Sequence, residues 1–481
     1  MKLNPIKDIE YKEDKRSNSG QGIMQSDHSM KIIITNNLRL YGVPTPFREM
    51  LMEKLRFLNP KWIENERMGR WNRGTPRELR FFDKIRGDGL WIPRGYIRQL
   101  ILQCRRQGVN YRIEDQRRTM TPVDFKFNGR LKSFQRLAVN EILVKEFGTL
   151  SAPTGSGKTV MALYMIARRS QPALIVVHTK ELAHQWIKGA EMFLNIPAND
   201  IGFIGGGKRS VGERMTVALV QSLYKIGEEV AEQIGFLVVD ECHRCPSRTF
   251  TDAVTCFDSR YMLGLSATPY RRDKLSKLIF WHLGDVHHDV DKGRLIESGD
   301  VLPVEVVVRE TNFKPYYDPV NEYSKMLSEL TLNDERNRLI ASDVSHEVRN
   351  SGGTCLVLSD RKSHCETLQA VLRYKHDVSS ERLTGDLTGS QRQDVVKRLN
   401  QGHIRVLVAT GQLIGEGFDC RELTTLFFAT PVRFSGRVLQ YLGRVLRPAP
   451  GKQKARVYDY VDVNVEVLKK AARARQKVYS G

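Results

Sequence analysis

Residues 151–159 read S-A-P-T-G-S-G-K-T and combine the groups that a polyphosphate requires. Gly155 and Gly157 permit unusual backbone angles and close approach. Lys158 brings a positive charge to the β and γ phosphates, and the Thr159 hydroxyl can hold Mg²⁺. Thr154 and Ser156 complete the candidate nucleotide-binding loop. Alone, such a loop could be a plain turn. Here G-K-T lies between an apolar run and a helical one, and N–H groups at a helix start point at an anion, so phosphate cradling is the natural reading. Downstream, the apolar run F-L-V-V ends in Asp240-Glu241-Cys242-His243. Two adjacent carboxylates at a strand end suit triphosphate hydrolysis: Asp240 to hold Mg²⁺ directly or through water, Glu241 to orient and deprotonate the attacking water. The alternatives are an acidic turn, or a kinase-like role that would need an acceptor pocket to which nothing points.

These groups need supports that fix them. Short apolar runs at 148–152, 173–178, 215–220, 236–239 and 262–266 read as buried parallel strands, and 158–169 and 181–193 carry apolar residues at helical spacing. That alternation is what a doubly wound α/β domain requires. A second series at 354–359, 406–410, 425–429 and 456–461 predicts another such domain in tandem, with a joint around 301–318. The expected organisation is a disordered polar tail over 1–30, a small basic α+β domain over 31–128, α/β domains over 129–305 and 306–465, and a basic tail over 466–481, frayed from 469 onward.

Charge suggests the partner. Over 481 residues, 76 Lys and Arg stand against 55 Asp and Glu, a net charge of +21, while 41% hydrophobic residues exclude a wholly disordered or fibrous chain. The stretch 31–130 holds 22 basic and 10 acidic residues, so +12 of the surplus falls in about a fifth of the chain. A polyanion, DNA or RNA before an anionic membrane, is the expected partner. Arg67, Arg70, Arg73, Arg77 and Arg80 recur every three or four residues. At helical spacing they would form one stripe able to track a phosphate backbone, with Arg70, Arg73 and Arg77 the chosen DNA contacts; a merely solvated charged face is the plainer alternative. No run reaches the roughly 20 apolar residues of a membrane span, and no secretory signal stands at the start. Seven cysteines form no disulfide framework, in keeping with a reducing cytoplasm, and the Cys242/Cys245 pair lacks a second ligand pair for zinc.

Taken together, these motifs resemble the superfamily 2 helicases and translocases, over roughly 130–462. The resemblance implies two RecA-like parallel-sheet domains that hydrolyse ATP with Mg²⁺ between them. Ala152 stands where the strict phosphate-loop pattern has Gly, a departure many helicase versions share. L-K-S-F-Q over 131–135 is similar to the adenine-reading segment, which makes Gln135 the base contact. The stretches 176–186 (V-V-H-T-K-E-L-A-H-Q-W) and 218–223 look like strand-contact motifs. G-L-S-A-T-P over 264–269 resembles the motif linking hydrolysis to domain movement, with Ser266 and Thr268 its polar pair. In the second domain, 356–368 and 383–392 fit the fourth motif and its neighbour. I-G-E-G-F-D over 414–419 fits the fifth and implies ATP contacts at Gly417 and Asp419, and Q-Y-L-G-R-V-L-R over 440–447 fits the sixth, with Gln440 in coupling. Arg444 and Arg447, three apart on an expected helix, share a face. Two guanidinium groups delivered there can neutralise charge growing on a γ-phosphate, an effect worth roughly 10³–10⁵ in rate in related chemistry.

Within the family, the D-E-C-H box, G-L-S-A-T-P-Y-R-R-D, I-G-E-G-F-D and an N-terminal stretch with N-P-K-W, E-R-M-G-R-W and W-I-P-R-G look like the XPB and UvsW group of double-stranded DNA translocases. That implies ATP-driven remodelling of branched DNA: fork regression, branch migration of Holliday-type junctions and unwinding of branched duplexes. The competing expectation is an RNA remodeller or a restriction-type translocase subunit.

Overall fold

The computed structural model describes residues 29–244, 248–267, 275–415, 418, 420, 422–432, 438, 441–443, 445, 447–449 and 452–480. The expected tail over 1–30 falls almost wholly outside them. Two compact units divide the chain: Met1–Ala152 with Thr159–Val290, and Pro153–Lys158 with Asp291–Gly481. Among the described residues no helix is long and apolar enough to cross a membrane.

The first unit begins with β1 (Met30–Ile34), β2 (Asn37–Tyr41), β3 (Arg56–Leu58), β4 (Glu78–Arg80), β5 (Asp83–Ile85), β6 (Gly89–Pro93) and β7 (Tyr111–Asp115). Five of them form a mixed sheet in the order β5-β6-β2-β1-β7, and β3 and β4 pair as a separate ribbon. In β1, alternation places Met30, Ile32 and Ile34 inside. The helix Ile97–Gln107 buries Ile97, Leu100, Ile101 and Cys104 at helical spacing and stops where Gly108 turns left-handed, at φ 65°.

Next come β8 (Phe147–Ser151), β9 (Ala173–Val177), β10 (Gly202–Gly205), β11 (Lys208–Arg209), β12 (Met215–Leu219), β13 (Phe236–Val239), β14 (Tyr261–Ser266) and β15 (Val286–Asp289). They make an eight-stranded sheet, β11-β10-β12-β9-β13-β14-β8-β15, parallel except for the short edge strand β11. Every residue of β8, β9, β12 and β13 is buried, as a sheet covered by helices on both faces demands.

The small sheet and the large one share one apolar core. Its hinge-pin is the helix Ser276–Leu283, whose Trp281 ring lies 5.4–6.1 Å from those of Phe57, Phe81 and Tyr96. A Cβ on Gly95 would collide with the Phe280 and Trp281 carbonyls, so glycine alone permits this approach. Arg94, 3% exposed, donates to Ser259 O at 2.9 Å and Thr35 O at 3.3 Å. Arg117 pairs with Asp115 at 2.7 Å and with Glu146, and Arg260 joins Glu146 at 2.7 Å. Burial opposes the Arg117 charge, but the two carboxylates outweigh it and raise its pKa.

The second unit holds β16 (Val304–Thr311), β17 (Thr354–Ser359), β18 (Glu381–Leu383), β19 (Val406–Thr410), β20 (Leu423–Phe428) and β21 (Ala455–Asp462), all parallel, in the order β16-β21-β20-β17-β19-β18. Two sequence expectations fail here. The stretch read as a joint, 301–318, contains the edge strand β16, and its half-exposed pattern hid it. The tail read as frayed is the helix Glu466–Ser480: Arg475, 2% exposed, pairs with Asp459 at 2.6 Å, and Tyr479 OH donates to the same carboxylate at 2.8 Å. The eight-stranded and six-stranded sheets are thus the parallel-sheet α/β layers of the expected class.

Candidate active site

Three neighbouring strands deliver the first unit's polar groups. Asp240 follows β13, Ser266 ends β14 and Ser151 ends β8, and β14 lies between the other two. Strands are spaced about 4.8 Å apart, so the root of the phosphate loop stands about 10 Å from Asp240 across the carboxyl edge, where α/β sheets place ligands. Ala152 N donates to Ser266 O at 2.9 Å, which ties the loop's root to β14.

The loop is built as a phosphate cradle would be. Gly155 and Gly157 have φ of 92° and 82°, left-handed angles that favour glycine. Ser156 Oγ donates to Pro153 O at 2.7 Å, closing the turn, and Lys158 Nζ lies 3.5 Å from the same oxygen. The helix Lys158–Arg169 starts at once, so Thr159 stands in its first turn. Thr154 Oγ1 is buried without a hydrogen-bond partner among the described residues. An orphaned hydroxyl, two left-handed glycines and a helix start with a lysine fit a triphosphate: Lys158 and the loop N–H groups would hold its phosphates, and Thr159 and Asp240 its Mg²⁺.

Asp240, 7% exposed, is clamped on both oxygens. Its Oδ2 accepts the Trp186 indole N–H at 2.8 Å, and its Oδ1 accepts Glu241 N at 2.9 Å. Glu241 adopts φ 50°, a left-handed angle that costs a non-glycine residue of order 1 kcal/mol or more and that clusters at functional sites. His243 Nδ1 lies 3.2 Å from both Glu241 Oε2 and Ser266 Oγ, so one imidazole touches the candidate base and the candidate coupling serine. The sequence motifs that contain Trp186 and His243 assign neither side chain a role. The imidazole in D-E-C-H was the available signal; the indole, more than fifty residues upstream of its partner, had none beyond closing H-Q-W.

Gln135 is buried, and its Oε1 reaches back to accept Lys132 N at 3.0 Å at the start of the helix Ser133–Leu143. In the second unit, Arg447 follows residues 441–443 and 445, which are helical. Half-buried Lys452 donates to the carbonyls of Leu423, Val445 and Arg447, satisfying the end of this segment; partial burial lowers its pKa to about 8. His364, held between Ser359 Oγ and Asn337 Oδ1 at 2.9 Å each, is pushed down to about 3 by burial and by Arg336. Thr268, Gly417, Asp419, Gln440 and Arg444 lie outside the described residues.

The arginine stripe is not a stripe. The helix Pro60–Arg67 ends at Met68 because Gly69 turns left-handed at φ 63°, and Gly74 (φ 78°) and Pro76 keep the chain irregular up to β4. Arg70, Arg73 and Arg77 therefore sit on a loop, exposed, with no ion pair among the described residues; Arg77 stacks over the Trp62 ring at 5.4 Å.

Residues 128–271 match the family described as Type III restriction enzyme, res subunit, and 337–449 match the helicase conserved C-terminal domain. The chain is 28% identical to DNA 3'-5' translocase XPB2 of Sulfurisphaera tokodaii over 66% of this chain and 78% of that one. It is 26% identical to a putative ATP-dependent RNA helicase, L396, of Acanthamoeba polyphaga mimivirus (74% and 69%) and 24% identical to the ATP-dependent DNA helicase uvsW of Enterobacteria phage T4 (72% and 70%). Its fold is similar to a fragment of a putative HsdR subunit of a type I restriction enzyme from Vibrio vulnificus YJ016, with TM-score 0.55 and 17% identity, over 73% of this chain and 66% of that one.

Proposed function

Since the chain belongs to the superfamily 2 helicases and is similar to their UvsW and XPB members, we propose that it is an ATP-driven DNA motor that remodels branched DNA by fork regression, branch migration and unwinding. The observation that carries the motor half is the joining of Glu241 and Ser266 through His243, which links the candidate general base to the strand whose end continues into the coupling motif. The basic region 31–128 and the relatives named as DNA helicase and translocase support the DNA half.

Bound ATP with Mg²⁺ supplies the scissile phosphoanhydride and its free energy. Lys158 and the loop N–H groups hold the phosphates, and Gln135 reads the base. Glu241, with its backbone turned left-handed, orients water and takes its proton. Arg444 and Arg447 bring positive charge to the γ-phosphate from the second domain, so turnover depends on closure, and reopening resets the hold on DNA. Phosphate contacts dominate DNA affinity, which falls with salt at a log-log slope of roughly −0.9 per neutralised phosphate.

ATP hydrolysis measured without nucleic acid and with four-way junctions, linear duplex and structured RNA tests this reading. The expected result is strongest stimulation by branched DNA, abolished by Lys158→Ala and by Glu241→Gln while DNA binding persists. Stimulation by structured RNA alone would transfer the motor to the RNA reading, and unchanged turnover in both variants would reject the site.

A further inference from the structure

Between β3 and β4, residues 59–77 fold into a lobe without a buried core. Its helix Pro60–Arg67 buries no residue, and Ile63, Met68 and Trp71 are exposed, Trp71 to 89%. Polar bonds hold it instead. Asn59 caps the helix through Lys61 N (3.0 Å) and donates to Pro76 O (2.9 Å), while Asn59 N donates to Arg77 O (2.8 Å), closing the base. Higher up, Asn65 Nδ2 donates to Asn72 Oδ1 (3.0 Å), Arg70 N to Asn65 O (2.8 Å) and Thr75 N to Asn72 O (2.9 Å). The backbone is therefore set, yet the largest apolar side chain on it has almost nothing against it.

Its own segment is one-signed. The segment 67–77, R-M-G-R-W-N-R-G-T-P-R, carries four arginines and no carboxylate. Exposed Arg70 and Arg73 flank Trp71, and open space surrounds Gly69 and Gly74. An indole face between guanidinium groups, with Glu64 and Glu66 the two acids of the lobe, matches a base flanked by phosphates: stacking takes the ring, charge takes the backbone. A continuous duplex hides its base faces in the stack, whereas a branch point or fork arm exposes them.

We infer that Trp71 is a stacking prong that engages an unpaired base at the branch point of DNA, with Arg67, Arg70 and Arg73 holding the flanking phosphates. This rests on the DNA reading above and assigns the feature that would separate branched from linear substrates.

Fluorescence anisotropy across a salt series, on a fork with single-stranded arms, a four-way junction and a blunt duplex, tests it. Trp71→Ala should weaken binding to the fork by ~5- to 100-fold while changing blunt-duplex affinity less than about twofold, and Trp71→Phe should recover most of the loss. Arg70→Ala with Arg73→Ala should weaken the fork more than the blunt duplex and flatten the fork's salt slope by about 2. Binding the fork should quench tryptophan emission more in the wild-type protein than in Trp71→Phe. Because the side chain is exposed, the melting temperature and DNA-free ATPase should not move. An unchanged fork-to-duplex ratio in Trp71→Ala, or an equal loss on all substrates, overturns the prong; the first result would leave the lobe to a protein partner. Wild-type protein that binds no DNA overturns the parent reading too, and is distinguishable because it appears before any substitution is made.

Discussion

Replacing Trp186 by Phe removes one hydrogen-bond donor from Asp240 and keeps an aromatic ring in place. The bond is short, 2.8 Å, and both partners are buried, at 1% and 7% exposure. A hydrogen bond to a charged acceptor is worth about 1.5–3 kcal/mol, and the smaller ring adds a cavity cost of order 1 kcal/mol, so Trp186→Phe should lower unfolding stability by about 2–4 kcal/mol. Asp240→Asn keeps the size, but its single carbonyl oxygen can accept from only one of the two N–H donors, and as a neutral acceptor it is worth about 1 kcal/mol to the indole at most. In that background Trp186→Phe should therefore cost less, leaving a coupling energy of about 1–2 kcal/mol in a urea-denaturation double-mutant cycle. The functional readout is Mg²⁺. Loss of an outer partner that orients a metal-binding carboxylate typically costs 10–100-fold in metal affinity, so the Mg²⁺ concentration giving half-maximal ATP hydrolysis should rise by about that factor. Additive stability changes, with coupling below about 0.5 kcal/mol, together with an unaltered Mg²⁺ response would refute the claim that the indole holds the carboxylate in its working position.

Truncating Arg117 leaves half-buried Asp115 without its partner and Glu146 with Arg260 alone, so Arg117→Ala should cost about 1–3 kcal/mol in thermal or denaturant unfolding. Acid should weaken the first unit through His282. Burial lowers this imidazole to about 4, against about 6.5 unfolded, so the unfolded chain binds the extra proton and stability falls as the pH drops from 6.5 to 4, by about 3 kcal/mol. Melting curves over that range should flatten in His282→Leu. His364, depressed to about 3, should act with the same sign on the second unit, over pH 6.5 to 3.

What the sequence disclosed depended on whether a signal was local. F-L-V-V at 236–239 and T-C-L-V-L-S at 354–359 were legible to the residue, since strands buried on both faces must be continuously apolar. The phosphate loop and D-E-C-H were legible because their chemistry is contiguous. β16 was not: an edge strand buries one flank, and Pro303 with Glu305, Arg309 and Glu310 makes its composition that of a linker. The basic tail misled because the partner that buries Arg475, Asp459, comes from β21. The arginine spacing misled because a three-to-four recurrence means helix only where no Gly or Pro intervenes, and Gly69, Gly74 and Pro76 do. Trp186 and His243 escaped because tertiary neighbours leave no mark in local spacing.

The core that joins the N-terminal sheet to the large one has a practical consequence for anyone who trims the chain. Cutting away residues up to about 116 would bare Trp281 and Phe147 to water and leave Arg117 without Asp115. Such a shortened protein would clump on its raw face before its turnover could be timed, and its failure would say nothing about whether the lost residues touch a substrate.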